Sequence, residues 1–81
     1  MRIDKFLKVS RLIKRRTVAN EACDSAHISV NGKTVKASYD VKVGDVISIA
    51  FGQKTVRARV LSVQEHALKS DAAAMYEIVE E

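Results

Sequence analysis

Residues 27–36 read HISVNGKTVK, and the spacing of apolar side chains changes at this point in the chain. Ile28 and Val30 alternate with polar neighbours, which indicates a β-strand. Asn31-Gly32 predicts a type I′ turn because both residues tolerate positive φ. Lys33 to Lys36 then form the returning strand, so this stretch predicts an antiparallel hairpin.

Two helices are predicted before the hairpin. Residues 2–10 carry apolar side chains at helical spacing. Thr17 is a candidate N-cap for a second helix, which runs from Val18 to about Ala26. Cys23 lies on the small apolar face of this helix, and we interpret it as a core residue rather than a nucleophile. The buried face of the first helix is predicted to comprise Ile3, Phe6, Leu7 and Ser10.

Three further strands are predicted after the hairpin, over residues 46–51, 54–63 and 75–79. A turn at Gly44-Asp45 precedes the first of them, and a turn at Gly52-Gln53 joins the first to the second. Ala72 to Ala74 favour a helix, but this run is too short to be stable alone. The order of elements predicts an α+β fold, with two N-terminal helices packed on a small, twisted, mainly antiparallel sheet.

Charge is distributed unevenly along the chain. The formal net charge is +4. Residues 64–81 carry five acids against one cation, Lys69, whereas residues 1–16 carry a single acid, Asp4. A positive field confined to one end favours a polyanionic partner and orients its approach. The cations of the first segment are Arg2, Lys5, Lys8, Arg11, Lys14, Arg15 and Arg16.

Two readings of this basic segment remain open. If the first helix continued far enough, Lys5, Lys8, Arg11 and Arg15 would share the arc opposite its apolar face. Such an arc is commonly a solvated surface. Here the basic arc has almost no counter-charge, since Asp4 is the single acid of the segment, and this favours a surface that faces a ligand.

The composition indicates a cytosolic protein. A single cysteine excludes an internal disulfide framework. The chain has no apolar run long enough for a transmembrane helix, and its start lacks the apolar core of a signal peptide. We therefore expect a cytoplasmic protein that does not enter a membrane.

The sequence contains no convincing catalytic or metal-binding constellation. His27 and His66 are isolated, and neither forms a zinc-ligand spacing with Cys23. Asp40 and Asp45 are typical turn residues. We therefore expect no enzyme activity, no metal and no cofactor.

Aromatic residues are few, which favours a reader of RNA shape and phosphates over a protein that stacks single-stranded bases. Tyr39 either contacts RNA from its loop or packs against the protein, and the sequence leaves both open.

Several separated motifs resemble the S4-type, or alpha-L, RNA-binding family. They are Arg2 to Leu7, Arg11, Lys14 to Thr17, Ile28 to Gly32 and Val43 to Asp45. The resemblance covers residues 1–64, which we interpret as an S4-type domain. Residues 65–81 are then a C-terminal extension with a short final strand and an acidic end. The resemblance implies a helix pair followed by a small twisted sheet.

Within that superfamily the chain is most similar to the small stand-alone RqcP family. The similarity lies in residues 6–17, 36–38, 51–54 and 74–76. It implies a role in bacterial ribosome-associated quality control. There the protein would bind an obstructed large ribosomal subunit, contact 23S rRNA and peptidyl-tRNA, and support poly-alanine tailing by an RqcH-type factor. We expect it to act as a monomer.

The resemblance also implies which residues contact RNA. Arg2 and Arg16 are foremost, and the amides at the start of the second helix would hold another phosphate. Asp4 would orient Arg2 or Lys5. The full predicted set is Arg2, Lys5, Lys8, Arg11, Lys14, Arg15, Arg16, Thr17, Asn31, Lys33 and Lys36.

One position departs from the family pattern. The family has Gly where the second helix ends, whereas this chain has Ala26-His27. Gly accepts the left-handed backbone of a helix C-cap, and Ala in that conformation costs roughly 1 kcal/mol. Either the cap is strained or the helix exit differs.

Two alternatives to the quality-control role remain. One is a heat-shock-type S4 protein that recycles blocked large subunits. The other is a protein–protein adaptor that uses the acidic end, Glu77 to Glu81, and exposed strand edges.

Overall fold

The computed structural model describes residues 1–65 and 67–79. Its helices are α1 (Ile3–Val9), α2 (Arg16–Asp24) and the short α3 (Lys69–Ala72), which leads into a 3₁₀ turn, Ala73–Met75. Its strands are β1 (Ile28–Val30), β2 (Lys33–Thr34), β3 (Val46–Phe51), β4 (Lys54–Val60) and β5 (Tyr76–Ile78).

The strands form one antiparallel sheet in the order β2-β1-β3-β4-β5. The predicted hairpin is confirmed, because Asn31 has φ 51° and Gly32 has φ 86° and Val30 pairs with Lys33. β2 is shorter than predicted and ends at Thr34. The chain then turns toward the N-terminus, where the Ala37 carbonyl accepts a hydrogen bond from the Asp4 amide at 3.3 Å.

The core lies between the two N-terminal helices and one face of the sheet, so the α+β expectation is confirmed. Ile3, Phe6 and Leu7 of α1 are completely buried. Full burial of a side chain of this size stabilises the fold by roughly 1.5–3 kcal/mol. The sheet contributes Ile28, Val30, Ile47, Ile49 and Val60 to the same core, and α2 contributes Ala19 and Cys23.

The prediction that Thr17 caps the second helix is wrong. α2 begins at Arg16, and Arg15 is the N-cap, with extended backbone and no side-chain cap hydrogen bond. The Arg15 carbonyl accepts the first helical bond, from the Ala19 amide at 3.1 Å. The helix starts earlier because an ion pair with Asp4 holds Arg16 in its first turn. Thr17 is an exposed residue of that turn.

The end of α2 keeps a left-handed cap without glycine. Ala26 has φ 60°. Its amide donates to the Cys23 carbonyl at 3.1 Å, and the His27 amide donates to the Ala22 carbonyl at 2.9 Å. This pair of bonds is a Schellman motif. Of the two possibilities left by the sequence, the chain therefore adopts the strained cap rather than a different exit.

α1 ends before Arg11 and Arg15, so the condition under which they would share its basic arc is not met. α1 ends at Val9 with Ser10 as its C-cap. Arg11 follows with φ 65°, a left-handed conformation that turns the chain away from the helix axis. Its amide donates to the Lys8 carbonyl at 3.1 Å.

β4 also ends earlier than predicted, at Val60 rather than residue 63. Its partner β3 begins at Val46, opposite Arg59, so later residues have no β3 neighbour. The Leu61 amide donates instead to the Met75 carbonyl at 2.8 Å.

The predicted final strand is present as β5, beside β4. Met75 is completely buried in the common core. The division of the chain at residue 64 stays a prediction. Two sequence predictions fall on residues outside the described part of the chain. These are the isolated His66 and the last two residues of the acidic end, Glu80 and Glu81. Among the described residues, no helix is both long and apolar enough to cross a membrane.

Candidate nucleic-acid interface

A buried carboxylate organises two of the predicted contacts. Asp4 lies in the first turn of α1 and is only 2% exposed. The Arg2 guanidinium donates to both of its oxygens, through Nε at 3.2 Å and through Nη2 at 3.3 Å. Arg16, from the first turn of α2, approaches the same carboxylate at 3.4 Å. Asn20, one helical turn later, donates to it at 3.4 Å. We call these four residues the Asp4 cluster.

The two arginines of this cluster remain accessible while their positions are restrained. The side chain of Arg2 is 51% exposed and that of Arg16 is 48% exposed. A single carboxylate balances two guanidinium groups, so the cluster retains positive charge at the surface. Arg suits phosphate because its planar fork donates parallel hydrogen bonds to two oxygens. The arrangement presents restrained cationic donors to an anion.

The Asp4 carboxyl stays ionised in this setting. Burial alone would raise its pKa, but hydrogen bonds from Asn20, Arg16 and Arg2, together with the Lys5 amide, bring the pKa below its usual value. The Lys5 amide donates to Asp4 at 2.8 Å. The expected orienting role of Asp4 therefore applies to Arg2 and also to Arg16, whereas Lys5 contributes through its backbone.

Backbone pairing fixes the position of Arg2. Arg2 forms an isolated antiparallel bridge with Asp40. On either side, the Ile3 amide donates to the Tyr39 carbonyl and the Val41 amide donates to the Met1 carbonyl, both at 2.8 Å. This short ladder ties the N-terminal segment to the loop that follows the hairpin. The loop thereby helps to hold Arg2 beside α2.

A second group of cations lines an open cleft of about 440 Å³ at the end of α1. We call it the basic cleft, and its polar lining comprises Lys8, Arg11, Lys14 and Glu65. Glu65 also forms an ion pair with Lys5. Within residues 1–65 and 67–79, Lys8, Arg11 and Lys14 form no ion pair with a carboxylate. The cleft therefore presents cations with one acid at its edge.

The hairpin lies beside the Asp4 cluster. Lys36 and Arg2 line a common cleft of about 680 Å³ between α2 and the segment after β2. Lys33 is exposed in β2. The structure therefore brings Arg2 and Lys36 to one surface, and Lys33 extends it along the hairpin.

Asn31 has a structural task that limits its predicted role. Its side-chain oxygen accepts from the Val46 amide at 3.0 Å, and its Nδ2 donates to Asp45 at 3.2 Å. An amide nitrogen carries two hydrogens, so one donor remains for RNA. Asp45 also accepts from the Tyr39 hydroxyl at 3.3 Å and from the Lys42 amide at 3.0 Å. Tyr39 is thus a half-buried residue bonded within the protein.

Cys23 has the environment of a core residue. It is 3% exposed, and burial, together with the charges of Asp4 and Asp24, raises the pKa of its thiol to about 11. A thiol with a raised pKa is a poor nucleophile near neutral pH. The geometry therefore agrees with the interpretation of Cys23 as packing.

Sequence reasoning missed three features of this surface. Asn20 could have been found, because it lies at i+4 from Arg16 and hence on the same helix face. Glu65 approaches the basic segment only through the tertiary fold, and no local pattern predicts it. Phe51 lies in a strand that the sequence predicts, but the sequence does not show that this residue is exposed beside α2.

Comparison with known proteins identifies the family. The S4 domain profile matches residues 1–47. The RQC P-site tRNA stabilizing factor of Bacillus subtilis is 54% identical over 81 residues, covering 100% of this chain and 94% of that protein. The solution structure of the hypothetical protein HP1423 has a TM-score of 0.84 at 31% identity, covering 100% of this chain and 99% of that one.

Vibrio cholerae heat shock protein 15, solved as a trimer, shares the fold. Its TM-score is 0.89 at 22% identity, with 98% of this chain and 81% of that chain covered. The profile match and the full-length identity agree with the helix pair, hairpin and sheet described above. The chain therefore belongs to the S4-domain proteins, in the family of the RQC P-site tRNA stabilizing factors.

Proposed function

We propose that this protein is a non-catalytic RNA-binding factor of bacterial ribosome-associated quality control in the cytoplasm. It binds obstructed large ribosomal subunits, contacts 23S rRNA and peptidyl-tRNA, and supports poly-alanine tailing of stalled chains by an RqcH-type factor. The observation that carries the proposal is the Asp4 cluster, in which one buried carboxylate restrains Arg2 and Arg16 at the surface. The names of the full-length relatives support the same assignment.

The predicted contacts would divide into two parts of one surface. The Asp4 cluster and Lys36 engage one stretch of RNA backbone, and the cations of the basic cleft engage another. Lys5, Arg15 and Thr17 flank these parts, Asn31 and Lys33 extend them, and the amides at the start of α2 hold a further phosphate. We propose that the protein binds as a monomer.

Salt dependence tests whether phosphate contacts provide the affinity. With about six phosphate contacts, the logarithm of the association constant should fall with the logarithm of salt concentration with a slope near −4 to −5. The measurement is a titration of purified large subunits carrying peptidyl-tRNA at several salt concentrations. A nearly flat slope would contradict the proposal.

Matched arginine variants test the location of the surface. Arg16→Ala and Arg2→Ala should abolish co-sedimentation with large subunits on sucrose gradients. Arg59→Ala is the control, because Arg59 is 47% exposed and also forms an exposed ion pair, with Glu77 at 2.8 Å, but lies on β4 away from the cluster. Equal loss in all three variants would indicate non-specific attraction by net charge.

The same gradients separate the alternatives. A protein–protein adaptor would migrate with a soluble partner and leave the large subunits. A heat-shock-type recycling factor would bind large subunits but leave poly-alanine tailing unchanged when it is removed. Loss of tailing on removal, restored by the wild-type chain and not by Arg16→Ala, supports the quality-control role.

A further inference from the structure

An apolar cleft lies between the start of α2 and the end of β3. Its volume is about 420 Å³, and its lining comprises Leu12, Ile13, Lys14, Arg15, Val18 and Phe51. We call it the Phe51 cleft. Phe51 is 47% exposed and Val18 is 48% exposed. Its volume lies within the roughly 300–1,000 Å³ typical of small-ligand clefts.

The lining combines a flat aromatic ring with adjacent cations. Phe51 is the last residue of β3 and pairs with Lys54 across a tight turn, so its backbone is held by the sheet. Lys14 and Arg15 line the same cleft, and among the described residues neither forms an ion pair. A ring stacks on the face of any nucleobase, and the cations attract the attached phosphate. A nucleotide offers both features within one residue.

We propose that the Phe51 cleft binds one unpaired nucleobase of the RNA, stacked on Phe51, with its phosphate held by Lys14 and Arg15. The inference rests on the proposed function and adds a base-contacting site to a surface otherwise described by phosphate contacts. Lys14 lines both the Phe51 cleft and the basic cleft, so the two adjoin at this residue. This adjacency favours RNA over a separate protein partner, because an RNA strand bound by the cations of the basic cleft can extend to the Phe51 ring.

Footprinting on large ribosomal subunits carrying peptidyl-tRNA tests the proposal. Dimethyl sulfate reports the accessibility of unpaired bases, and hydroxyl radicals report the backbone. Wild-type protein should protect the backbone and at least one unpaired base. Phe51→Ala should lose the base protection and keep the backbone footprint. Its affinity should be lowered about 5- to 140-fold, the range expected for loss of one base–aromatic stack. Phe51→Trp should retain both protections.

Two further variants keep the result interpretable. Phe51→Leu preserves an apolar side chain but removes the flat ring, so it should resemble Phe51→Ala. Ile78→Ala, which removes an exposed apolar side chain on β5, should leave both footprints unchanged.

Unchanged base protection in Phe51→Ala overturns the proposal, and so does an equal loss of base and backbone protection. Chemical cross-linking of the same complexes tests the alternative occupant. If Phe51→Ala loses a cross-link to a ribosomal protein while the RNA footprints stay intact, the cleft binds a protein instead. Absence of any footprint with wild-type protein refutes the proposed function itself.

Discussion

Replacing Asp4 with Asn should weaken RNA binding although it makes the protein more positive. The substitution preserves side-chain size and removes one negative charge, so the formal net charge rises from +4 to +5. If binding depended on net charge alone, affinity would increase. The structure predicts the opposite sign, because Asp4 restrains Arg2 and Arg16 in positions from which both can donate to phosphate.

The magnitude follows from the cost of immobilising the released arginines. Ordering a flexible side chain on binding costs roughly 0.5–1.5 kcal/mol, so two arginines cost about 1–3 kcal/mol. The added unit of charge offsets at most about 1 kcal/mol near a phosphate in water, and less as salt screens it. The expected net effect is a loss of affinity of about tenfold near physiological salt. The loss of affinity should grow as salt increases, because salt screens the attraction gained from the added charge but does not lower the cost of ordering the two arginines.

The assay is a binding titration on large ribosomal subunits carrying peptidyl-tRNA, repeated at several salt concentrations, with thermal unfolding recorded for each variant. Asp71→Asn is the matched control, since it makes the same charge change on α3. The control should bind as tightly as wild type or more tightly. If Asp4→Asn binds as tightly as Asp71→Asn while both remain folded, Asp4 does not position the arginines for RNA and the reasoning is refuted.

Three further predictions concern stability and the edge of the surface. Because the pKa of Asp4 is lowered on folding, its contribution to stability is fully present above the unfolded pKa and is lost as pH falls through the lower folded pKa. The acid side of a melting-temperature profile should therefore flatten in Asp4→Asn. Ala26→Gly should stabilise the fold by about 0.5–1 kcal/mol in urea denaturation, because Ala26 has φ 60°. Ala22→Gly, inside α2, should destabilise the fold by a similar amount, and destabilisation by both substitutions would contradict the strained cap. Glu65→Gln should raise RNA affinity several-fold and steepen the salt slope by releasing Lys5, and an unchanged titration would show that Glu65 does not attenuate binding.

Local signals predicted the secondary structure well where chemistry and conformation coincide. Asn31-Gly32 adopts the positive φ values that its type I′ turn needs, and the apolar spacing of α1 matches its buried face. At Ala26 the sequence left two outcomes open, a strained cap or a different exit, and the φ of 60° shows that the chain adopts the strained cap. Element ends were less accurate. β4 ends at Val60, opposite the first residue of β5, so its end depends on the register of the sheet and not on composition. β2 ends at Thr34, where the chain turns toward the N-terminal segment.

The candidate surface was predicted in part. The sequence showed that residues 2–16 concentrate positive charge, and the structure places Arg2 and Arg16 on one carboxylate. The sequence could not show that α1 ends before Arg11. It also could not show that Glu65 reaches Lys5, because that contact depends on how the chain returns after β4. Contact of each predicted residue with RNA stays a prediction.

The left-handed backbone at Arg11 has a consequence for engineering and for sequence divergence. Arginine at φ 65° forgoes stability that glycine would provide, since side chains with a β-carbon disfavour this region by roughly 1–2 kcal/mol. A design procedure that scores folding alone would therefore select glycine here and remove a cation from the basic cleft. Selection for thermal tolerance would act in the same direction. The residue at position 11 in related chains thus indicates which property selection has favoured there. A cation indicates selection for RNA binding, and glycine indicates selection for stability of the fold.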